Sequence, residues 1–357
     1  MIANDTVALP RVGSRVPAGP LGFGKYMTDA VVLCRYSDAN GWDRPYVTAY
    51  RSLEIDPCAL VLHYGQAIYE GMKAYRASDS SIALFRPDRN AARFRASARR
   101  MAMAEMPEAL FVEAASLSVS ALREWVPDAP ETALYLRPVM IADEAAFGVR
   151  RSTKYLFFIV ATPVESIYRI GAPSFRLIVS DDYARAAPGG GGDAKTSGNY
   201  GRTLVALEAA RQNGYNNVLW LDPVQREFIE EAGITNFFVR RRNKLLTPPL
   251  NGRVLAGVIR DSVLRFATEW GMDIAEQEIS IVELLQGIDS GEVSEVFLTG
   301  TAVHLAPVAS ITRYGVEHTL STDRSERSLM LRLSSAISEI QRGVTPDAFG
   351  WMYRVPD

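Results

Sequence analysis

Cysteine and histidine are scarce in this chain of 357 residues, which contains two cysteines and three histidines. Cys34 and Cys58 are too few for a disulfide framework or a cysteine-rich metal site. His63, His304 and His318 lie far apart in the sequence, so we expect no bound metal. No apolar run approaches the roughly 20 residues of a membrane helix, and the N-terminal segment lacks the apolar core of a secretion signal. These absences predict a cytoplasmic protein without a membrane segment.

An excess of charge of either sign is also missing. The formal net charge is −2, which provides no electrostatic reason to expect nucleic acid or an anionic membrane as a partner. The basic cluster 240–242 is followed by Asn243 and is interpreted as a solvated hairpin turn. With 48% hydrophobic and 22% charged residues, the composition is typical of a globular protein long enough for two domains.

Hydrophobic periodicity divides the chain into two α/β halves. Residues 1–163 form a smaller, strand-rich domain, with helices predicted at 88–100 and 112–125. The pattern breaks after Pro163, so residues 164–173 are interpreted as an interdomain linker. Residues 174–357 form a larger domain, with helices predicted at 200–213, 257–270 and 326–340.

A run of four glycines, residues 189–192, precedes Lys195 and a predicted helix. Such a segment is typical of two chemistries: a loop that binds nucleotide phosphates, or a lysine that holds an aldehyde cofactor as a Schiff base. The phosphate loop requires a second glycine where Ala194 stands, and residues 181–188 separate the preceding apolar run from the glycines. An apolar run does end at Asp222, so nucleotide binding remains a remote alternative.

Besides the lysine, a pyridoxal 5′-phosphate site requires two further features, and the sequence offers candidates for both. An acid must lie against the ring nitrogen, and Glu230 and Glu231 precede a predicted strand. The phosphate requires an arginine and a helix start, and Arg93 lies on a predicted helix. Tyr200 follows Lys195 closely enough to reach the phenolic oxygen of the ring.

Several segments in order carry a resemblance to a known family. They are FGKYMTD, LHYGQAIYEGMKAYR, LFRPDRNAARFRASARRM, LYLRP, PGGGGDAKTSGNY, NVLWLD, EEAGITN, FLTGTA, IQRG and GWM. Over nearly its full length the chain resembles the branched-chain amino acid aminotransferases, which are fold type IV pyridoxal phosphate enzymes. The resemblance implies a two-domain α/β (α+β) fold with the cofactor in the cleft between the domains, and a homodimer.

The resemblance also implies roles for individual residues. Lys195 becomes the Schiff-base lysine and catalytic acid/base. Glu231 pairs with the ring nitrogen and is preferred to Glu230 because it precedes Asn236 by five residues, as in the family pattern. The cofactor phosphate and ring hydroxyl are assigned to Arg93, Tyr200, Val258, Ile259 and Thr301. The substrate is assigned to Phe23, Tyr64, Tyr69, Tyr135, Arg137, Thr301 and Ala302.

The function implied is transamination between an L-amino acid, branched-chain or related, and 2-oxoglutarate, which yields the 2-keto acid and L-glutamate. Two departures from the family pattern bear on this expectation. Ile259 stands where the family has a threonine that binds phosphate, and Tyr69 stands where it has phenylalanine. A specialised biosynthetic aminotransferase with an unusual amino or keto acid and a fold type IV amino-lyase therefore remain alternatives.

Overall fold

An antiparallel β-sheet and a mixed β-sheet, both flanked by helices, make up the protein. The computed structural model describes residues 15–165, 174–321 and 328–356. The first half contains β1 Ala30–Ser37, β2 Gly41–Trp42, β3 Tyr46–Ala49, α1 Leu60–Tyr64, β4 Ala67–Tyr69, β5 Met72–Arg76, β6 Ile82–Phe85, α2 Pro87–Arg100, α3 Glu108–Ala121, a 3-10 turn Arg123–Trp125, β7 Thr132–Ala142 and β8 Lys154–Glu165. The second half contains β9 Phe175–Ser180, α4 Gly198–Gly201, α5 Leu204–Gln212, β10 Asn217–Leu221, β11 Ile229–Ala232, β12 Asn236–Arg241, β13 Lys244–Thr247, α6 Val258–Glu269, β14 Asp273–Glu276, α7 Ile281–Asp289, β15 Val293–Gly300, β16 His304–Arg313, β17 Val316–Thr319, α8 Leu329–Gln341 and β18 Met352–Arg354.

The first sheet has the order β18-β6-β5-β7-β8-β1-β2, with β3 beside β1 and β4 beside β7. Side chains of its long central strand β7 point alternately to the two faces of the sheet, as in any β-strand. Leu134 and Leu136 enter the core of the first half, whereas Tyr135 packs with residues of the second half. Arg137 shares the face of Tyr135, so this strand directs two polar groups toward the other sheet.

The second sheet has the order β11-β10-β9-β16-β15-β12-β13-β14, with β17 beside β16. The parallel pairs β9–β10, β9–β16 and β13–β14 make this sheet mixed. Between the sheets lies a shared apolar cluster that includes Tyr75, Phe85, Phe238 and Trp351. The predicted sites therefore lie at a junction that both halves build.

Several sequence-based boundaries need correction. The helix predicted at 112–125 begins at Glu108 and ends at Ala121, and only a 3-10 turn follows it. The helix predicted at 200–213 is interrupted, with α4 ending at Gly201 and α5 beginning at Leu204. At this interruption the Thr203 hydroxyl donates to the carbonyl of Tyr200 at 2.7 Å, a local bond that competes with continuous helix. The hairpin predicted for the basic cluster 240–242 and Asn243 is present, but its turn consists of Arg242 and Asn243 only, because Arg240 and Arg241 belong to strand β12.

The predicted domain division stays a prediction. Residues 164 and 165 belong to β8, and the rest of the predicted linker, 166–173, lies outside the described residues, as do residues 326–327 of the last predicted helix. Strand β18 comes from the C-terminal end of the chain but pairs with β6 in the first sheet. Within the described ranges, no helix has the length and apolarity needed to cross a membrane.

Candidate active site

Lys195 lies between the two sheets, on the segment that precedes α4. Its backbone is held on both sides, because its amide donates to the Ser97 hydroxyl at 2.9 Å and its carbonyl accepts from the Tyr69 amide at 3.0 Å. The Lys195 Nζ donates to the Tyr200 hydroxyl at 3.0 Å and lies 4.8 Å from the ring centroid of Tyr69. The amine is therefore held by aromatic groups and forms no ion pair with any residue in the described ranges.

Tyr200 responds electrostatically to this lysine. Burial alone would raise the pKa of Tyr200, but the Lys195 charge and hydrogen bonds from Tyr69 and Lys195 outweigh burial and hold it below its usual value. Burial and the neighbouring Tyr200 raise the pKa of Tyr69. Tyr69 therefore remains a phenol that donates to Tyr200, and its hydroxyl is engaged within the pocket wall.

Glu231 supplies a buried acid on the same side of the site. Its carboxylate forms an ion pair with Arg185 at 3.0 Å and accepts from the Leu255 amide at 2.8 Å and from Asn236 Nδ2 at 3.3 Å. Burial raises the pKa of Glu231, whereas Arg185, the Leu255 amide, Lys195 and Arg93 act in the opposite direction. The charges of Lys195 and Arg93 therefore both act on this carboxylate.

Glu230 has a different partner. Its carboxylate accepts from Arg253 Nε, and burial raises its pKa while Arg253 opposes that effect. The charges that act on it most strongly are those of Arg253, Arg185 and Glu231. The geometry thus favours Glu231 over Glu230 as the acid of the site.

Arg93 projects from α2 toward the start of α6. Its guanidinium forms two hydrogen bonds of 2.8 Å with the carboxylate of Glu70 and a third, of 2.9 Å, with the carbonyl of Ala256. Glu70 is fully buried, and it also accepts from Asn90 at 2.7 Å. This network fixes Arg93 immediately ahead of the first turn of α6.

The first turn of α6 offers free backbone amides. Its N-cap, Gly257, has no side chain to cap the helix, and Val258 and Ile259 follow as the first helical residues. A Cβ on Gly257 would lie 1.9 Å from Asn236 Oδ1, so only glycine fits there. Thr301 completes this corner, because its hydroxyl donates to the carbonyl of Gly71 at 3.1 Å. An uncapped helix start beside an arginine is a typical phosphate site.

Arg137 and Tyr135 define the other side of the lysine. Arg137 donates to the Tyr135 hydroxyl at 3.0 and 3.2 Å, and its guanidinium lies 4.7 Å from the centroid of the Tyr69 ring. The Phe23 ring contacts the Tyr135 ring edge-on at 4.9 Å between centroids. Among the described residues Arg137 has no carboxylate partner, so its fork is available to an incoming anion.

Two predicted substrate residues are less directly placed. The Tyr64 hydroxyl donates to the carbonyl of Phe147, and no hydrogen bond, ion pair or ring contact within the described ranges joins Tyr64 to Lys195 or Arg137. Ala302 lies with Thr301 in the turn between β15 and β16, and its role toward the substrate stays a prediction. The structure therefore brings together the predicted cofactor residues and most of the predicted substrate residues, but not Tyr64.

Local geometry argues against the nucleotide-binding alternative. The helix after Lys195, α4, has only four residues, too short for a phosphate-binding helix start. Asp222 would have to bind magnesium in that alternative. Its carboxylate instead accepts hydrogen bonds from four backbone amides and so stabilises the turn after β10; the donors are Val224, Gln225, Glu227 and Phe228. Neither group is available for the role that the phosphate-loop pattern requires.

The residues present fit pyridoxal 5′-phosphate. Lys195 offers an amine, Glu231 a buried carboxylate, and Arg93 with the start of α6 a place for a dianion. Sequence reasoning missed the three residues that orient these groups, namely Glu70, Arg185 and Ser97. Glu70 stands inside a recognised motif, but nothing in the spacing indicates that it pairs with Arg93.

Comparison with known proteins gives a consistent result. A family model described as "Amino-transferase class IV" matches residues 67–311. A branched-chain-amino-acid aminotransferase of Mycolicibacterium smegmatis is 40% identical, over 99% of this chain and 97% of its own length. The solved branched-chain amino acid aminotransferase of Escherichia coli has a TM-score of 0.76 at 24% identity, covering 92% of this chain and 99% of its own. That of Thermobaculum terrenum in its PLP form has a TM-score of 0.73 at 20% identity, covering 91% and 98%. The two solved structures establish the similarity of the fold.

Proposed function

This chain belongs to the class IV aminotransferases and, within them, to the branched-chain-amino-acid aminotransferase family, and from this premise we propose that it transfers the amino group of a branched-chain L-amino acid to 2-oxoglutarate. The products are the branched 2-keto acid and L-glutamate. The cofactor proposed is pyridoxal 5′-phosphate, as in the PLP form of the Thermobaculum terrenum neighbour. The cytoplasmic location expected from the sequence stays a prediction.

One observation carries the proposal. The Lys195 amine lies 3.0 Å from the hydroxyl of Tyr200, whose pKa is lowered, and the charges of Lys195 and the buried Arg93 both act on the buried carboxylate of Glu231. When bound, the cofactor supplies an aldehyde that captures amino groups and a protonated ring that withdraws electrons from the substrate α-carbon. Lys195 would hold that aldehyde and move the α-proton, Glu231 would keep the ring nitrogen protonated, and Tyr200 would hydrogen-bond the ring hydroxyl.

The phosphate end is proposed to rest on Arg93, Thr301 and the amides of Val258 and Ile259. Ile259 lacks the hydroxyl of the family threonine, but its amide lies in the first turn of α6, where the helix leaves amides free. The loss of one neutral hydrogen bond is worth about 1 kcal/mol, so the cofactor should bind somewhat less tightly without losing its site.

The substrate pocket must accept an apolar branched chain in one half-reaction and a side-chain carboxylate in the other. Phe23 and Tyr69 supply apolar ring surface, whereas Arg137 supplies a bidentate donor beside the same rings. We propose that the chain carboxylate of glutamate or 2-oxoglutarate pairs with Arg137, which a leucine or valine side chain leaves uncontacted. The α-carboxylate is assigned to Tyr135 and to the amides of the turn that contains Thr301 and Ala302.

A homodimer is proposed on the same family grounds. Near α1 the described surface exposes large apolar side chains, including Leu62 at 60% and Phe147 at 67% exposure. Tyr64 lies in this patch, so its predicted place in a substrate pocket would require a neighbouring subunit. Sedimentation equilibrium should give twice the mass of the chain; a monomer at working concentration would contradict the dimer.

The decisive experiment asks whether Lys195 carries the cofactor. Borohydride treatment of the holoenzyme followed by peptide mass analysis should find the reduced cofactor on Lys195. Lys195→Ala should lose the adduct and the transfer from leucine to 2-oxoglutarate, while Lys154→Ala, at an exposed position on β8, should keep both. An adduct elsewhere, or turnover by Lys195→Ala, would refute the assignment.

A second experiment separates the adjacent acids. Glu231→Gln should lower kcat by about 10²-fold or more, since it removes the charge that stabilises the protonated ring. Glu230→Gln should have a much smaller effect, because its carboxylate pairs with Arg253. Equal losses in kcat at equal thermal stability would contradict the assignment of Glu231.

Substrate screening addresses the remaining alternatives. The Tyr69 hydroxyl is engaged by Tyr200, so it gives no reason to expect a polar substrate side chain. All three branched-chain keto acids should accept the amino group of glutamate. Failure with all three, together with activity on another keto acid, would favour the specialised enzyme, and ammonia release without an acceptor would favour the amino-lyase.

A further inference from the structure

A second cavity, of about 300 Å³, lies between the first sheet and α8. Its polar wall contains Lys73 on β5, His304 at the start of β16, Ser334 and Ser338 on α8, and Arg342 just after α8. Its apolar wall includes Tyr75, Ala133 and Met330. None of the residues that line it was assigned a role in transamination.

Lys73 is the unusual member of this wall. Its side chain is only 7% exposed, and in the described ranges it forms no hydrogen bond and no ion pair. Burial, with a contribution from Arg342, lowers the pKa of Lys73 to about 8, so at neutral pH the side chain is still mostly an ammonium ion. A buried charge without a partner is costly, and an anion in the cavity would supply the missing counter-charge.

The other charged groups of the cavity reinforce this preference. Arg342 donates to the carbonyls of Ala129 and Thr132, which cannot neutralise its charge. Burial and the nearby Lys73 lower the pKa of His304 to about 4, so this imidazole is neutral at physiological pH. The cavity therefore has two cations, one neutral imidazole and serine hydroxyls that can donate.

The nearby carboxylates form no ion pair with these two cations among the described residues: Asp128 acts on Arg342 electrostatically but forms its ion pair with Arg76. Glu131 and Glu339 lie at the edge of the cavity, but neither forms an ion pair with Lys73 or Arg342 among the described residues. Gln341 also faces the cavity, and its Nε2 is buried without a hydrogen-bond partner in the same part of the chain. Within the described ranges, Gln341 Nε2 thus lacks an acceptor, and so does the ammonium group of Lys73, which faces the cavity from a residue that is 7% exposed.

We propose that this cavity is a binding site for a small carboxylate with an apolar body. The carboxylate pairs with Lys73, with Gln341 and the serine hydroxyls as further donors, and the body packs on Tyr75 and Met330. A volume of 300 Å³ corresponds to about ten water molecules, which suits a compact molecule such as cyclohexanecarboxylate. The site goes beyond the proposed transamination, because it uses none of the residues assigned to the cofactor or to the amino-acid substrate.

The test compares two nearly isosteric probes, cyclohexanecarboxylate and its neutral amide, cyclohexanecarboxamide. Calorimetric titration of the holoenzyme should show the carboxylate bound at least tenfold more tightly than the amide. The visible absorbance of the cofactor records any binding at Lys195 in the same samples, so that substrate-site binding is counted separately. No carboxylate binding beyond that at the substrate site, or equal affinity for both probes, would overturn the proposal.

Two variants locate the site. Lys73→Met should lose at least tenfold in affinity for the carboxylate and keep its affinity for the amide, while Lys154→Met, on the exposed part of β8, should match wild type. Ser335→Trp places a large ring on the exposed rim and should block both probes without touching Lys73. If Lys73→Met does not fold, Ser335→Trp and the comparison of probes still decide. Undiminished carboxylate affinity in folded Lys73→Met, or undiminished affinity for the probes in folded Ser335→Trp, would refute the assignment.

Discussion

Replacing Glu70 by glutamine should destabilise the protein far more than its small change in shape suggests. The carboxylate is fully buried and forms two hydrogen bonds of 2.8 Å with Arg93, whose side chain is only 9% exposed. It also accepts from Asn90 at 2.7 Å and from the Gly71 amide at 3.2 Å. Four donors therefore converge on one anion.

The expected magnitude follows from what the substitution leaves behind. The glutamine amide keeps one acceptor oxygen but turns an NH₂ group toward other donors, so at least one hydrogen bond becomes a repulsive contact. Arg93 remains buried without a counter-charge, since the glutamine oxygen and the carbonyl of Ala256 are both neutral acceptors. Breaking a buried ion pair on one side costs about 3–5 kcal/mol, and we expect a loss of this size in the free energy of unfolding.

Urea unfolding of the cofactor-free protein, at a fixed protein concentration, measures this loss. Glu105→Gln is a matched control, because Glu105 also pairs with arginines of α2, Arg95 and Arg99, but at the surface. Its unfolding midpoint should stay close to that of wild type, since solvent screens exposed pairs. A loss for Glu70→Gln of less than about 1 kcal/mol, or equal losses for both variants, would refute the reasoning.

Two further predictions concern residues of the proposed cofactor site, Tyr200 and Gly257. Lys195→Met should raise the pKa of Tyr200, because the lysine charge is the main cause that lowers it. The early rise of tyrosinate absorbance with pH should then disappear. Identical absorbance titrations of wild type and variant would contradict the pairing of Lys195 with Tyr200. Gly257→Ala should lower Tm and weaken pyridoxal phosphate binding, since the new Cβ would lie 1.9 Å from Asn236 Oδ1. Gly201→Ala, which meets no atom within 4 Å, should do neither, and equal cofactor affinity in both variants would show that the site can adjust.

The contacts that could be predicted from the sequence are those between residues only a few positions apart. Lys195 and Tyr200 are separated by five residues and meet across the first turn of α4. The spacing that favoured Glu231 also has a local cause, because the turn between β11 and β12 returns Asn236 to donate to that carboxylate. Motif order placed Arg93 near the phosphate corner, but the sequence offered no reason to pair it with Glu70.

Long-range pairings were beyond such reasoning. Arg185 reaches Glu231 across 46 positions of sequence, and Lys73 shares its cavity with His304 and Arg342 from elements far along the chain. Alternation along β5 predicts that Lys73 is on the face of Tyr75. It does not predict that α8 covers that face.

Sequence alone determined the chemistry available to this protein: an amine ahead of a helix, two adjacent acids, an arginine on α2, and a low net charge. Tertiary structure decided which of these charges neutralise one another. Glu70 pairs with Arg93 and Glu231 with Arg185, so among the described residues of the site Lys195 and Arg137 remain cations without carboxylate partners. Distance and burial govern that outcome, because the strength of an electrostatic interaction depends on the separation and solvent exposure that packing creates, and neither is encoded in the spacing of residues along the chain.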